Sequence, residues 1–183
     1  RATTPPTARA IAPRPGSSDG TCRTEFGTLS RWTIFKVGLR IGAGVAPPPE
    51  AYLKPEPWTA QRWQARLASD SNFKVGLVWS GKPTNEDNPN RLCPLAQFAP
   101  LAEVPGVSLY SLQKGAAADE FASQPWADPL KDLQYEIDDF ADTAAAICAL
   151  DLVITVDTSV AHLAGALGRP VWVLLAYSPD WRW

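Results

Sequence analysis

Apolar residues along this chain form short unbroken runs, separated by stretches in which they recur every three or four positions. The runs are Lys74 to Trp79, Val107 to Leu112, a weak one near Leu130 to Leu133, Leu152 to Val156, and Val171 to Leu175. Between them the spacing is helical. Pro57 stands where a helix start tolerates proline, and Ala60, Trp63 and Leu67 follow on one side. Pro94 opens a second helix carrying Leu95, Phe98 and Ala102, broken by Pro105-Gly106, and a short third helix runs through Phe121. Asp138 or Asp139 caps a helix whose Phe140, Ala144, Ile147 and Cys148 share a face. Val160, Leu163, Ala164 and Leu167 stripe the last helix, which Gly168 and Pro170 end. Strands that are apolar throughout, rather than alternately, are covered on both faces. The pattern predicts an α/β, Rossmann-like three-layer domain with a mainly parallel sheet. It is expected over 51–183, its regular part starting near Pro55.

Residues 1–50 do not share this periodicity. Their Pro-Pro, Pro-Arg-Pro and Gly/Ser stretches bury too little apolar surface to offset the entropy of ordering, so they read as an irregular Pro/Gly/Arg-rich extension or linker. Only Trp32 to Leu39 has strand character. The 183 residues, 45% hydrophobic and 20% charged, suffice for one ordinary core. A net charge of −2 gives no electrostatic case for nucleic acid or an anionic membrane. No run of about 18 apolar residues is present, so no transmembrane segment is expected. Cys22, Cys93 and Cys148 are odd in number and far apart, which fits reduced thiols and a cytoplasmic setting, compatible with work at the inner face of the membrane. The chain contains no methionine, even at position 1, and is expected to be a piece of a longer protein.

Open parallel sheets bind ligands at the carboxyl ends of their strands. Asp157-Thr158-Ser159-Val160-Ala161-His162 leaves the clearest strand and opens a helix, where free backbone N–H groups and the helix dipole suit phosphate. At about 100° per residue, His162 falls opposite the apolar stripe, on the side of Thr158. Two readings remain: a diphosphate site, or a helix capped by Thr158 or Asp157 with His162 as a surface residue. Ser80-Gly81-Lys82, running on to Arg91, combines close backbone approach with positive charge, or is a solvated connection. Gln113-Lys114-Gly115 ends the next strand in the same crevice. The acidic group Glu136, Asp138, Asp139 and Asp142 reads as helix capping in preference to a metal site. No Gly-x-Gly-x-x-Gly follows any expected strand, which speaks against a dinucleotide cofactor.

Lys74-Val75-Gly76-Leu77-Val78-Trp79-Ser80-Gly81, Asn90-Arg91 and Tyr110-Ser111-Leu112-Gln113-Lys114-Gly115 resemble glycosyltransferase family 9 proteins, heptosyltransferase-like chains often fused to tetratricopeptide repeats. So do Leu150 to Ile154, Asp157-Thr158 and His162-Leu163-Ala164-Gly165-Ala166-Leu167-Gly168-Arg169-Pro170. The resemblance implies the C-terminal, nucleotide-sugar-binding half of a GT-B enzyme, with inverting, metal-independent transfer and no cofactor. Asp157, Thr158, Ser159, His162 and Arg91 match positions that hold the donor diphosphate; Ser80, Gly81, Lys82, Gln113 and Lys114 match the loops of the donor site. Ser159 departs from the glycine or alanine usual there. The acceptor site and general base would belong to an N-terminal domain outside this chain, so the catalytic residues stay unknown and the chain alone is expected to be inactive. A non-catalytic nucleotide-binding or interaction module of the same fold is the alternative. The implied partners are the nucleotide sugar, the N-terminal acceptor domain and tetratricopeptide repeats of a full-length protein.

Overall fold

The computed structural model describes residues 25–29, 32–36, 51–82, 92–126 and 130–176. Its sheet is built from β1 (Glu25–Leu29), β2 (Trp32–Lys36), β3 (Phe73–Val78), β4 (Val107–Ser111), β5 (Leu130–Asp132), β6 (Leu152–Val156) and β7 (Val171–Ala176). The helices are α1 (Pro57–Leu67), α2 (Ala99–Ala102, entered through a 3-10 turn at Leu95–Phe98), α3 (Phe140–Cys148) and α4 (Ser159–Ala166). A further 3-10 segment covers Ala116–Ser123.

The strand order is β1-β2-β7-β6-β3-β4-β5. From β7 to β5 all neighbours are parallel, giving a five-stranded α/β, Rossmann-like sheet. The chain builds outward from β3 to β5 and then returns to lay β6 and β7 on the other side. The order therefore reverses between β3 and β6, the point where sheets of this type open a crevice.

The stretch expected to be an irregular extension contributes two strands. β1 and β2 form an antiparallel hairpin, and β2 pairs antiparallel with β7 from Trp32↔Ala176 to Lys36↔Trp172. The exposed edge of a parallel sheet is a template for another strand, and that long-range pairing is invisible to local composition. The rest of 1–50 lies outside the described residues.

Alternation along each strand divides the core in two. Val78, Leu112, Val153, Val173 and Leu175 face α1, α3 and α4 on one side of the sheet. Val75, Leu77, Trp79, Leu109, Ile154 and Val156 face the opposite way, under Cys93, Leu95 and Phe98. Both faces are covered, which is why the strands are mostly apolar, with Ser108, Ser111 and Thr155 buried among the apolar positions. Gly76 permits the close approach of the first layer: a Cβ there would sit 2.7 Å from Leu150 Cδ1 and 2.9 Å from Leu112 Cδ1.

Polar contacts fix the helices. Asp142 of α3 pairs with Arg62 of α1 and accepts from Trp63 Nε1 at 3.3 Å. Arg66 grips Glu136 through two bonds of 2.7 and 2.6 Å, a bidentate pairing that holds the Glu136 carboxyl below its ordinary range. α4 ends as its sequence indicates, with Gly168 at φ 65° and the N–H of Arg169 returning to Ala164 O.

Candidate functional site

β3, β4 and β6 end side by side, and the chain leaving each is polar: Ser80-Gly81-Lys82, Gln113-Lys114-Gly115 and Asp157-Thr158-Ser159. Above these ends lies a cleft of about 440 Å³, a size suited to a small organic ligand. Its walls include Ser80, Gly81, Lys82, Gln113, Lys114 and Gly115 on one side and Thr158 and Ser159 on another. Seven of the ten residues singled out from sequence as diphosphate or donor-loop positions thus line one cavity.

The other three differ. Asp157 is buried just ahead of α4 and does not line the cleft. His162 is exposed on α4, opposite the buried Ala164 and Leu167, and is likewise not part of the lining. Arg91 lies outside the described residues.

A third wall comes from a segment that the sequence marked only for helix capping. Ile137, Asp138, Asp139, Phe140 and Thr143 close the cleft from the start of α3. Phe140 was expected on the buried face of that helix, yet it is 62% exposed and faces the cavity side. At the first turn of a helix the apolar stripe extends past the packed layer, so periodicity alone cannot tell a core position from a cleft wall. The signal that existed was positional: this helix N-terminus follows a sheet strand.

The N-termini of α3 and α4 both approach the cleft, and they are finished differently. Asp139 Oδ1 accepts from the N–H of Asp142 at 2.9 Å and caps α3. Thr158, the residue preceding α4, makes no side-chain cap; its hydroxyl lies 2.9 Å from Thr155 Oγ1. The carboxylates of the acidic group are likewise placed by their neighbours: Asp142 between Arg62 and Trp63, Glu136 on Arg66, Asp139 on α3. Asp138 is exposed at the rim.

Lys114 turns out to hold main chain. Its Nζ donates to Gln134 O at 2.6 Å and to Ile137 O at 2.5 Å, tying the end of β4 to the segment that carries the third wall. Lys82 is exposed at the mouth. Neither described thiol is primed as a nucleophile: burial pushes Cys93 up to about 11 and Cys148 upward as well.

The family model for glycosyltransferase family 9 (heptosyltransferase) matches residues 139–183, which span α3, β6, α4 and β7. Protein FlbA of Caulobacter vibrioides is 32% identical over 152 residues, covering 79% of this chain and 25% of FlbA. The chain therefore spans about a quarter of the length of that curated relative. The structure of E. coli ADP-heptose LPS heptosyltransferase II superimposes with a TM-score of 0.52 at 20% identity, over 69% of this chain and 39% of that one. That likeness concerns the fold, the doubly wound sheet described above. The C-terminal stretch is thus similar to glycosyltransferase family 9, and the shared architecture shows the fold.

Proposed function

We propose that the cleft binds the diphosphate of a nucleotide-sugar donor and that the domain is the donor half of an inverting, metal-independent glycosyltransferase. The observation that carries this reading is the N-terminus of α4, which the Thr158 side chain does not cap, at the switch point of the sheet and opening into a cavity of suitable size. There the first N–H groups and the positive end of the helix dipole meet a ligand anion without competition from a side-chain acceptor at Thr158. The Ser159 hydroxyl and the Lys82 ammonium line the same cleft and add donors, whereas the Thr158 hydroxyl donates to Thr155 Oγ1, whose own proton goes to Val156 O.

In transfer, charge develops on the leaving diphosphate, and fixed dipoles aimed at it lower the barrier without reorganising. The resemblance places Arg91 and His162 at that leaving group, although His162 stands on α4 outside the lining of the cleft. The acceptor and the base that deprotonates it would come from the part of the full-length protein that this chain does not span. With half of the reacting pair unpositioned, the 183-residue chain is expected to show no sugar transfer above background.

Calorimetric titration of UDP and ADP into the folded chain tests the reading. Binding of either is expected, and Arg91→Ala and His162→Ala should each weaken it by about tenfold, the order of a lost hydrogen bond to a charged group. Absence of binding by both nucleotides removes the donor reading. Binding that both substitutions leave unchanged removes His162 and Arg91 from the donor site.

A further inference from the structure

We infer that Gln113 is a positioning residue, whose carboxamide sets the backbone leaving β3 and so shapes the wall of the cleft that faces the diphosphate. The inference rests on the donor reading above and refines it. Gln113 follows the end of β4 and is 3% exposed. A buried primary amide carries two donors and two acceptor positions, each costly to leave unmet.

All four go to main chain. Oε1 accepts from the N–H of Trp79 at 3.1 Å and of Ser80 at 2.9 Å. Nε2 donates to Ser80 O at 3.2 Å and to Lys114 O at 3.1 Å. One side chain thus takes both the N–H and the C=O of Ser80. The strand ladder ends at Val78, and the Ser80 hydroxyl closes onto Gly81 O at 3.2 Å. The next residues, Gly81 and Lys82, then form the wall of the cavity.

The chemistry demands an amide. Ser80 presents a donor and an acceptor to the same group, and a carboxylate only accepts while an aliphatic chain does neither. The same saturation leaves Gln113 no hydrogen-bonding capacity for a ligand, although it borders the cleft. Its effect on a nucleotide passes through Ser80 and Gly81.

The test uses the whole chain as wild type, Gln113→Leu and Gln113→Glu. Amide exchange of Trp79 and Ser80, followed by NMR without ligand, comes first. Both amides should exchange about tenfold faster in Gln113→Leu, since their acceptor is gone. Exchange as slow as in the wild type would overturn the inference. UDP and ADP are then titrated between about pH 5 and 8, a range in which a buried carboxyl titrates. In Gln113→Glu, the neutral acid keeps one donor beside its acceptors, whereas the ionised carboxylate faces the Ser80 and Lys114 carbonyls with none. Affinity of Gln113→Glu relative to wild type should fall about tenfold as pH rises, while Gln113→Leu stays weak throughout. A pH-independent ratio of one would also overturn it. Should Gln113→Leu fail to fold, the exchange comparison is made on Gln113→Glu at the two ends of the pH range, corrected for intrinsic rates. If wild type binds neither nucleotide, the donor reading fails and the exchange result alone decides.

Discussion

The N-termini of α3 and α4 meet the same cavity, and the residue before the helix caps α3 with its side chain but does not cap α4. α3 carries Asp139 as a cap and Asp138 beside it, so its positive end is already answered by carboxylates. α4 has Thr158 at the equivalent position, with the hydroxyl turned toward Thr155. A helix end that satisfies itself gains stability and loses its attraction for anions; one left uncapped gives up roughly 1 kcal/mol and keeps a site for phosphate. The contrast gives the cleft a polarity. On the proposed donor reading, phosphate would sit at α4, and the α3 side, with its acids and the exposed ring of Phe140, would take uncharged groups.

The largest expected effect comes from making the two ends alike. Thr158→Asp would cap α4 as Asp139 caps α3. Nucleoside-diphosphate affinity should fall by about a hundredfold, the order for a carboxylate and a phosphate a few ångströms apart in partly shielded surroundings. The melting temperature should hold or rise, because the helix gains a cap. Retained affinity in calorimetry would break the comparison.

A charge at the far end of the sheet shows whether the effect is local. The Asp70 carboxylate accepts from Tyr110 Oη and Lys131 Nζ, each at 2.7 Å, and its side chain is 7% exposed. Burial works to raise its pKa, but hydrogen bonds from Lys131, Ser108, Tyr110 and the Asn72 backbone outweigh burial and hold it well below the usual carboxylate range. A depressed folded value means that its stabilisation is present above the unfolded value of about 3.9 and is lost as pH falls toward the folded one. Asp70→Asn should lower stability by about 2 kcal/mol at neutral pH. By denaturant unfolding, that gap from wild type should narrow below about pH 4, where protonation begins to remove the wild-type advantage. Nucleotide affinity should not move. A gap that persists unchanged into acid would show that ionisation of Asp70 is not what the cluster uses.

The smallest effect is the converse change at α3. Asp139→Ala should cost about 1 kcal/mol in thermal or chemical unfolding, with nucleotide affinity unchanged or slightly raised. A large loss of affinity would mean that the acidic wall contacts the charged part of the ligand after all.

How much of this was legible in the residues depended on distance along the chain. The five short, mostly apolar runs predicted five strands, and β3, β4, β5, β6 and β7 stand where those runs lie. Pro57 and Asp139 start helices, and Gly168 terminates one, through local backbone chemistry that needs no partner. Ser80, Gln113 and Thr158 could be grouped in advance because each follows a strand and parallel strands end together. Phe140 was misplaced because its periodicity is that of a core residue. Of the hairpin, β2 stands in the stretch with strand character, Trp32 to Leu39, while β1 and the pairing were missed, because the partner β7 lies more than 130 residues away.

By itself the sequence determined the alternation of strands and helices, the two-faced burial of the sheet and the polar exits from its strands, all consequences of local apolar spacing and turn chemistry. Only the tertiary structure decided what those exits do. It brought the end of β4 against the end of β3, so that Gln113 meets the main chain of Trp79 and Ser80, and it turned the N-termini of α3 and α4 toward one cavity. Hydrogen-bond partners are chosen by proximity in space, and a residue's type states only what it can offer, not what will come within reach.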